Sequence, residues 1–225
     1  MRVSKEKSAE NREALLAAAS RLFREKGVDG VGVAEVAKEA GLTHGALYAH
    51  FPSKDILAAE AFSHGFAQRM DRARAWAGDR HPSFEEYLSG LYTTSQRDDL
   101  TTSCPMTASA SDVGRQGEAL SRSFSEAFEE EVAMMAGAID ETMPQDARRQ
   151  LAVASIAAQI GAIAVARAVA KTDAALSEEV LLATRDAIAA AFTARTAAES
   201  SVGADSSVGA DSSVGADSSA KTRVP

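Results

Sequence analysis

Between residues 10 and 197 the apolar side chains recur at helical spacing, while β-branched clusters are short and rare, and this confines the chain to an all-α fold. In a first helix, roughly Glu10 to Lys26, the residues Leu15, Ala19, Leu22 and Phe23 make one buried stripe, and Gly27 ends it. A second helix of barely two turns runs from about Val33 to Ala40, burying Val33, Val36, Ala37 and Ala40, and stops at Gly41. A third begins at His44. Thr43 is its N-cap, and Leu42 and Leu47 have the spacing of a hydrophobic staple that fixes how the chain enters the helix. With Leu47 and Phe51 facing inward, a step of about 100° per residue turns Gly45 and Ala49 outward and puts Ala46 and Tyr48 on the flanks. A short, small-sided helix set at a fixed angle by a glycine turn is the geometry that enters a DNA major groove.

Charge is compatible with that reading once it is divided. The whole chain carries a net charge of -8, but residues 1–55 hold 9 Lys/Arg against 8 Asp/Glu, so the acidity lies further on. Counterion release depends on the local patch and not on the total. The longest apolar stretches are alanine-dominated and interrupted by Arg167, which argues against a membrane span, and the charged N-terminus has no apolar core of a secretory signal. One cysteine, Cys104, forms no internal disulfide, in keeping with a reducing, cytoplasmic setting. The four histidines are not spaced as ligands, and no phosphate-binding glycine loop is present, so neither a metal nor a nucleotide cofactor is expected.

A long fourth helix is expected from Lys54 to Ala77, ending near Gly78. Further helices follow at about Ser83 to Arg97, Pro105 to Val113, Glu118 to Thr142, Gln145 to Lys171 and Ser177 to Thr196, separated by Pro82, Pro105, Gly114 and Pro144. Leu151, Ala154, Ala158, Gly161, Val165 and Ala168 step by threes and fours, and Val180, Ala183, Ala187, Ala190 and Ala194 repeat the spacing in the next helix. Small-residue seams permit close packing, either within one subunit or as a four-helix bundle between two. From Ser200 the segment Ser-Ser-Val-Gly-Ala-Asp repeats three times, a composition expected to stay disordered.

Residues 15 to 57, LLAAASRLFREKGVDGVGVAEVAKEAGLTHGALYAHFPSKDIL, resemble the N-terminal domain of the TetR (tetracycline repressor) family of bacterial transcriptional regulators. The resemblance implies a helix-turn-helix domain over 10–53 and a ligand-binding and dimerisation domain over 54–197, while composition and charge suggest a flexible arm over 1–9 and a disordered tail over 198–225. It also implies a homodimer that binds a palindromic operator and releases it when a small-molecule inducer binds. Thr43, His44, Gly45, Ala46 and Tyr48 fall where the family touches base edges and nearby phosphates, and Lys54 where it contacts phosphate. His50 stands between a packing or phosphate role and a base contact. Two departures are visible: Gly32 replaces the usual hydroxyl cap of the second helix, and Ala34 stands where a polar or basic residue is frequent.

The ligand site is expected among apolar and aromatic residues, with Phe62, Phe66, Tyr87, Leu91, Cys104, Met106, Phe124 and Phe128 as candidates and many of them core. The dimer interface implied by the family uses Leu151, Ala154, Ala158, Gly161, Val165, Ala168, Ala183, Ala187 and Ala190. Pro105 makes Cys104 the N-cap of its helix, where a positive helix end favours thiolate; the residue is therefore either a redox sensor that switches the repressor or a buried structural thiol. A helical enzyme or carrier without DNA binding is the third reading, and it lacks a nucleophile and base at working spacing.

Overall fold

The computed structural model describes residues 4–207, with side chains described for 4–197. Among these residues the chain forms ten helices. Three make the N-terminal domain: α1 (Lys5–Lys26), α2 (Val33–Glu39) and α3 (His44–Tyr48). The remainder are α4 (Lys54–Ala77), α5 (Phe84–Leu91), α6 (Thr94–Asp98), α7 (Pro105–Val113), α8 (Glu118–Gly137), α9 (Gln145–Val169) and α10 (Ala174–Ser207).

Local chemistry sets most of the boundaries. Ser4, Thr43, Ser53 and Thr93 each accept a backbone N–H in the first turn of the helix that follows, and Ser83 with Glu86 completes a reciprocal capping box. Between α2 and α3 the Leu42 N–H reaches the Ala37 carbonyl at 2.8 Å and the Gly41 N–H reaches that of Lys38 at 3.0 Å. Gly41 sits at φ 69°, which only glycine adopts without strain, so this C-terminal cap fixes the direction in which α3 departs.

Four boundaries differ from the sequence reading. α1 starts at Lys5, so residues 5–9 of the expected arm are helical, because the Ser4 hydroxyl caps the helix by accepting the Lys7 N–H at 3.1 Å. The segment expected as one helix over 83–97 is two, broken where the Tyr92 hydroxyl donates to the Ser155 carbonyl at 2.7 Å and Thr93 caps a fresh turn. α8 ends at Gly137, followed by a turn in which the Thr142 N–H bonds the Asp140 carboxylate at 2.8 Å. α10 begins at Ala174, with Asp173 accepting the Leu176 N–H, and continues to Ser207, past the expected end at Thr196 and through the first tail repeat. Residues 208–225, with the rest of the repeats, lie outside the described residues.

In the larger domain α9 is central, packing on α6, α7, α8 and α10, while α4 lies between α1 and α8. By length and composition alone α9 is apolar enough to cross a membrane. Its inward face nevertheless fills the core with Leu151, Ile156 and Ile163 and includes the buried polar groups of Ser155 and Gln159. α4 holds the domains together. Arg12 of α1 pairs with Glu60 of α4, and Gly65 lets α1 approach so closely that an added Cβ would lie 2.3 Å from the Ser20 hydroxyl.

Candidate functional site

α3 presents the outward face that the wheel predicts. Leu47 and Phe51 are fully buried against the domain core, which leaves Thr43, His44, Gly45 and Ala49 exposed and Ala46 and His50 half-buried. Tyr48 is 46% exposed, and its ring meets the His44 imidazole edge to face at 5.0 Å between centroids. Gly45 has a negative φ and no atom within 4 Å of where its Cβ would be, so neither backbone nor packing within the chain calls for glycine there. Gly45 is the second residue of the five-residue α3, and glycine within a helix costs up to about 1 kcal/mol relative to alanine. Lys54, half-buried in the first turn of α4, makes no ion pair among the described residues. Gly32 caps α2 without a side-chain bond, as the missing hydroxyl requires.

The surrounding charges are more organised than the sequence reading anticipated. Arg21 pairs with Glu25 and Glu39, and Lys26 with Glu35 at 2.6 Å, fastening α1 to α2. These pairs are substantially exposed, so each contributes at most about 1 kcal/mol.

The second feature is an open cavity of about 340 Å³ between α4, α5 and α8, lined by Arg69, Arg72, Trp76, Glu86, Tyr87, Leu91, Gln96, Thr102, Glu131 and Met135, among others. Of the expected ligand residues only Tyr87 and Leu91 reach it. Phe66 and Met106 are core, Phe62 lines a separate crevice beside α1, and Phe124 packs on Phe62 at 5.7 Å. Phe128 is half-buried against the core. The helical register turns these side chains away from the cavity.

At the cavity's inner end the fully buried Glu131 accepts from Arg69 at 2.5 Å, and the Cys104 thiol lies 3.9 Å from the other carboxylate oxygen. Burial pushes the Glu131 carboxyl up, and the Arg69 guanidinium offsets part of that. For Cys104 burial also dominates and pushes the thiol up to about 11. Its place at the α7 N-terminus brings no side-chain cap bond, and the thiolate expected of a sensor is disfavoured. Sequence reasoning missed the Arg69–Glu131 pair, since 62 residues separate its members.

The loop from Asp99 to Ser103 borders the same cavity and is held by arginines from three helices. Arg24 of α1 donates to the Thr101 carbonyl at 2.5 Å and Arg72 of α4 to the Thr102 carbonyl at 2.7 Å. Arg167 of α9 donates to the carbonyls of Gln96, Arg97 and Thr107 and to the Ser103 hydroxyl. Asp99 closes the loop from within, accepting from the backbone N–H groups and hydroxyls of Thr101 and Thr102.

The expected dimer seam splits. Ala154, Gly161, Val165, Ala168, Ala183, Ala187 and Ala190 are exposed and Ala158 half-buried, whereas Leu151 is buried inside the subunit, where the start of α9 turns into the core. Val165, Leu176 and Leu182, each more than 40% exposed, add apolar area to α9 and α10.

Three helices, the second and third short, with a glycine-capped turn before the exposed third, joined to a larger helical domain with its own cavity, define a helix-turn-helix protein with a second, cavity-bearing domain. Residues 15–61 match the family model described as bacterial regulatory proteins, tetR family. The HTH-type transcriptional repressor BepR of Brucella suis biovar 1 is 48% identical over 54 residues, 24% of this chain and 26% of that protein. The HTH-type transcriptional regulator AcrR of Shigella flexneri is 42% identical over 59 residues, 26% of this chain and 27% of that protein. The chain therefore spans about a quarter of the length of the curated relatives it matches. A TetR-family transcriptional regulator from Cytophaga hutchinsonii has the same fold, with a TM-score of 0.64 at 23% identity over 84% of this chain and 98% of that one.

Proposed function

We propose that the protein is a transcriptional regulator, most simply a repressor, which binds a two-fold symmetric operator as a homodimer and releases it when a small molecule occupies the cavity beside α4. The exposed face of α3 carries this reading, above all Gly45. A glycine that costs helix stability, and that nothing in the chain requires, is explained by close approach of a partner's backbone. Thr43, His44, Ala46, Tyr48 and His50 surround it as base and phosphate contacts, with Lys54 on phosphate. The exposed seams of α9 and α10 supply the dimer interface. Both relatives reported above are named as transcriptional regulators and BepR as a repressor, which supports a regulator over a helical enzyme or carrier. A regulator of transcription works in the cytoplasm of a bacterium. The thiol-switched alternative gains nothing from a fully buried Cys104.

The test is electrophoretic mobility shift with DNA from upstream of the protein's own gene against an equal length of unrelated DNA. The expected result is a specific complex whose footprint covers two half-sites roughly 34–36 Å apart. Equal affinity for both DNAs at every salt concentration would overturn the reading.

A further inference from the structure

We propose that the cavity between α4, α5 and α8 takes an amphipathic organic monoanion, its carboxylate on Arg72 and its apolar body against Trp76, Tyr87 and Leu91. The proposal deepens the ligand-responsive reading and rests on it only for its consequence at DNA. The charge balance of the lining selects the class. Arg69 and Glu131 neutralise each other at 2.5 Å, and Glu86 is paired with Arg80 at 3.0 Å. Arg72 is the remaining charge. Its one hydrogen bond among the described residues runs from Nη2 to a neutral carbonyl, that of Thr102, so the guanidinium is held in place while its other N–H groups stay available.

A second cation reinforces it. Burial, and then the positive charge of Arg72, hold the Arg24 guanidinium below its ordinary value, so the two arginines repel across the loop. Asp99, whose charge acts on Arg24, already spends both carboxylate oxygens on Thr101 and Thr102. An arriving carboxylate would relieve that repulsion, and a guanidinium takes a carboxylate through two parallel bonds. An ammonium would meet only acids that are already paired. The rest of the wall is apolar or aromatic, with Trp76 and Tyr87 at 6.2 Å between ring centroids.

The chain carries its own reporter, since Trp76 is its only tryptophan and lines the cavity. The experiment titrates its fluorescence in the full-length protein with octanoate, 1-octanol and octylamine, and with 3-phenylpropanoate against 3-phenylpropanol. At least one acid should bind roughly tenfold or more tightly than its alcohol, with the amine weakest. Arg72→Gln should bring acid and alcohol together, with folding checked by circular dichroism. Arg74→Gln is the control: it removes the same charge from α4 at a residue already paired with Asp71 and Glu130, and should keep the preference. Equal binding of acid and alcohol, a preference that survives Arg72→Gln or is lost equally in Arg74→Gln, or no response to any probe would overturn the proposal. DNA takes no part in the readout, so failure here leaves the DNA-binding reading intact, and failure to bind DNA leaves this site standing.

Discussion

Lys54 and His44 lie at the starts of neighbouring helices, and under the proposed function their chemistry would divide the work at DNA. Lys54 is a point charge in the first turn of α4, where the helix dipole opposes it by about 0.3–1 kcal/mol, so a phosphate is the partner it lacks. His44 projects from the first turn of α3, its ring fixed against Tyr48. Lys54→Ala is expected to weaken binding to all sequences alike and to lower the log-log salt slope by about one, whereas His44→Ala should change which bases are preferred. Salt titrations against operator variants measure both; a changed base preference with an intact salt slope in Lys54→Ala would reverse the assignment. Cys104 shows the opposite case, a reactive group made inert by its surroundings. With the thiol raised from an ordinary value of 9.0 to about 11, the thiolate at neutral pH is about a hundredfold scarcer than for an unperturbed cysteine, and the side chain is inaccessible as well. A small disulfide reagent should label Cys104 slowly in the native protein and rapidly in denaturant, and Cys104→Ser should leave operator release by ligand unchanged. Labelling of the native protein as fast as of the unfolded chain, with loss of DNA binding, would restore the sensor.

At the scale of helices, what the sequence makes legible is what neighbouring residues decide. Thr43, Gly41, Ser53 and Pro105 act over three to five positions, and the observed starts of α3, α4 and α7 and the turn before α3 follow from them. What distant partners decide is hidden in the sequence. Tyr92 breaks the α5–α6 segment by reaching Ser155, Arg24 grips a loop 77 residues away, and Arg69 meets Glu131 only once α4 lies on α8. The cavity belongs to this second class, and six of the eight expected ligand residues lie elsewhere for that reason. Two glycines separate the cases by experiment. At Gly65 a Cβ would come 2.3 Å from the Ser20 hydroxyl and 3.0 Å from Nη1 of Arg24, so Gly65→Ala must displace both side-chain ends from the packed α1–α4 contact and should destabilise by about 1–3 kcal/mol. At Gly45 there is open space, so Gly45→Ala should stabilise the isolated protein by up to about 1 kcal/mol while weakening operator binding. Denaturant midpoints together with operator affinities decide this. If Gly45→Ala lowered stability and left DNA binding unchanged, the glycine would serve the fold and not a partner.

For the whole molecule the outer surface of α9 and α10 sets the requirement. α9 is hydrophobic almost all round, yet only its inner face has a core to pack on. Outward it presents Ala154, Gly161, Val165 and Ala168 beside Ala183, Ala187 and Ala190 of α10. An apolar strip of this length points to burial against another surface, and small side chains at steps of three and four fit a matching pair of helices better than lipid, because they let backbones approach. Two-fold pairing of identical strips is the simplest closure. It would also hold two copies of α3 together, so that each half-site would raise the effective concentration at the other. Val165→Arg and Ala187→Glu place charges at positions exposed in the single chain, so either substitution should cost the monomer within about 0.5 kcal/mol. In the dimer the same charges would be buried without partners. Sedimentation at micromolar concentration in buffer without detergent should show two-chain particles for the unsubstituted protein and one-chain particles for either variant. Operator affinity should fall at least about a hundredfold in parallel, with thermal stability of the monomer retained. One-chain particles of the unsubstituted protein that still bind the operator tightly, or sedimentation only with added lipid, would show that the strip faces something other than a second copy.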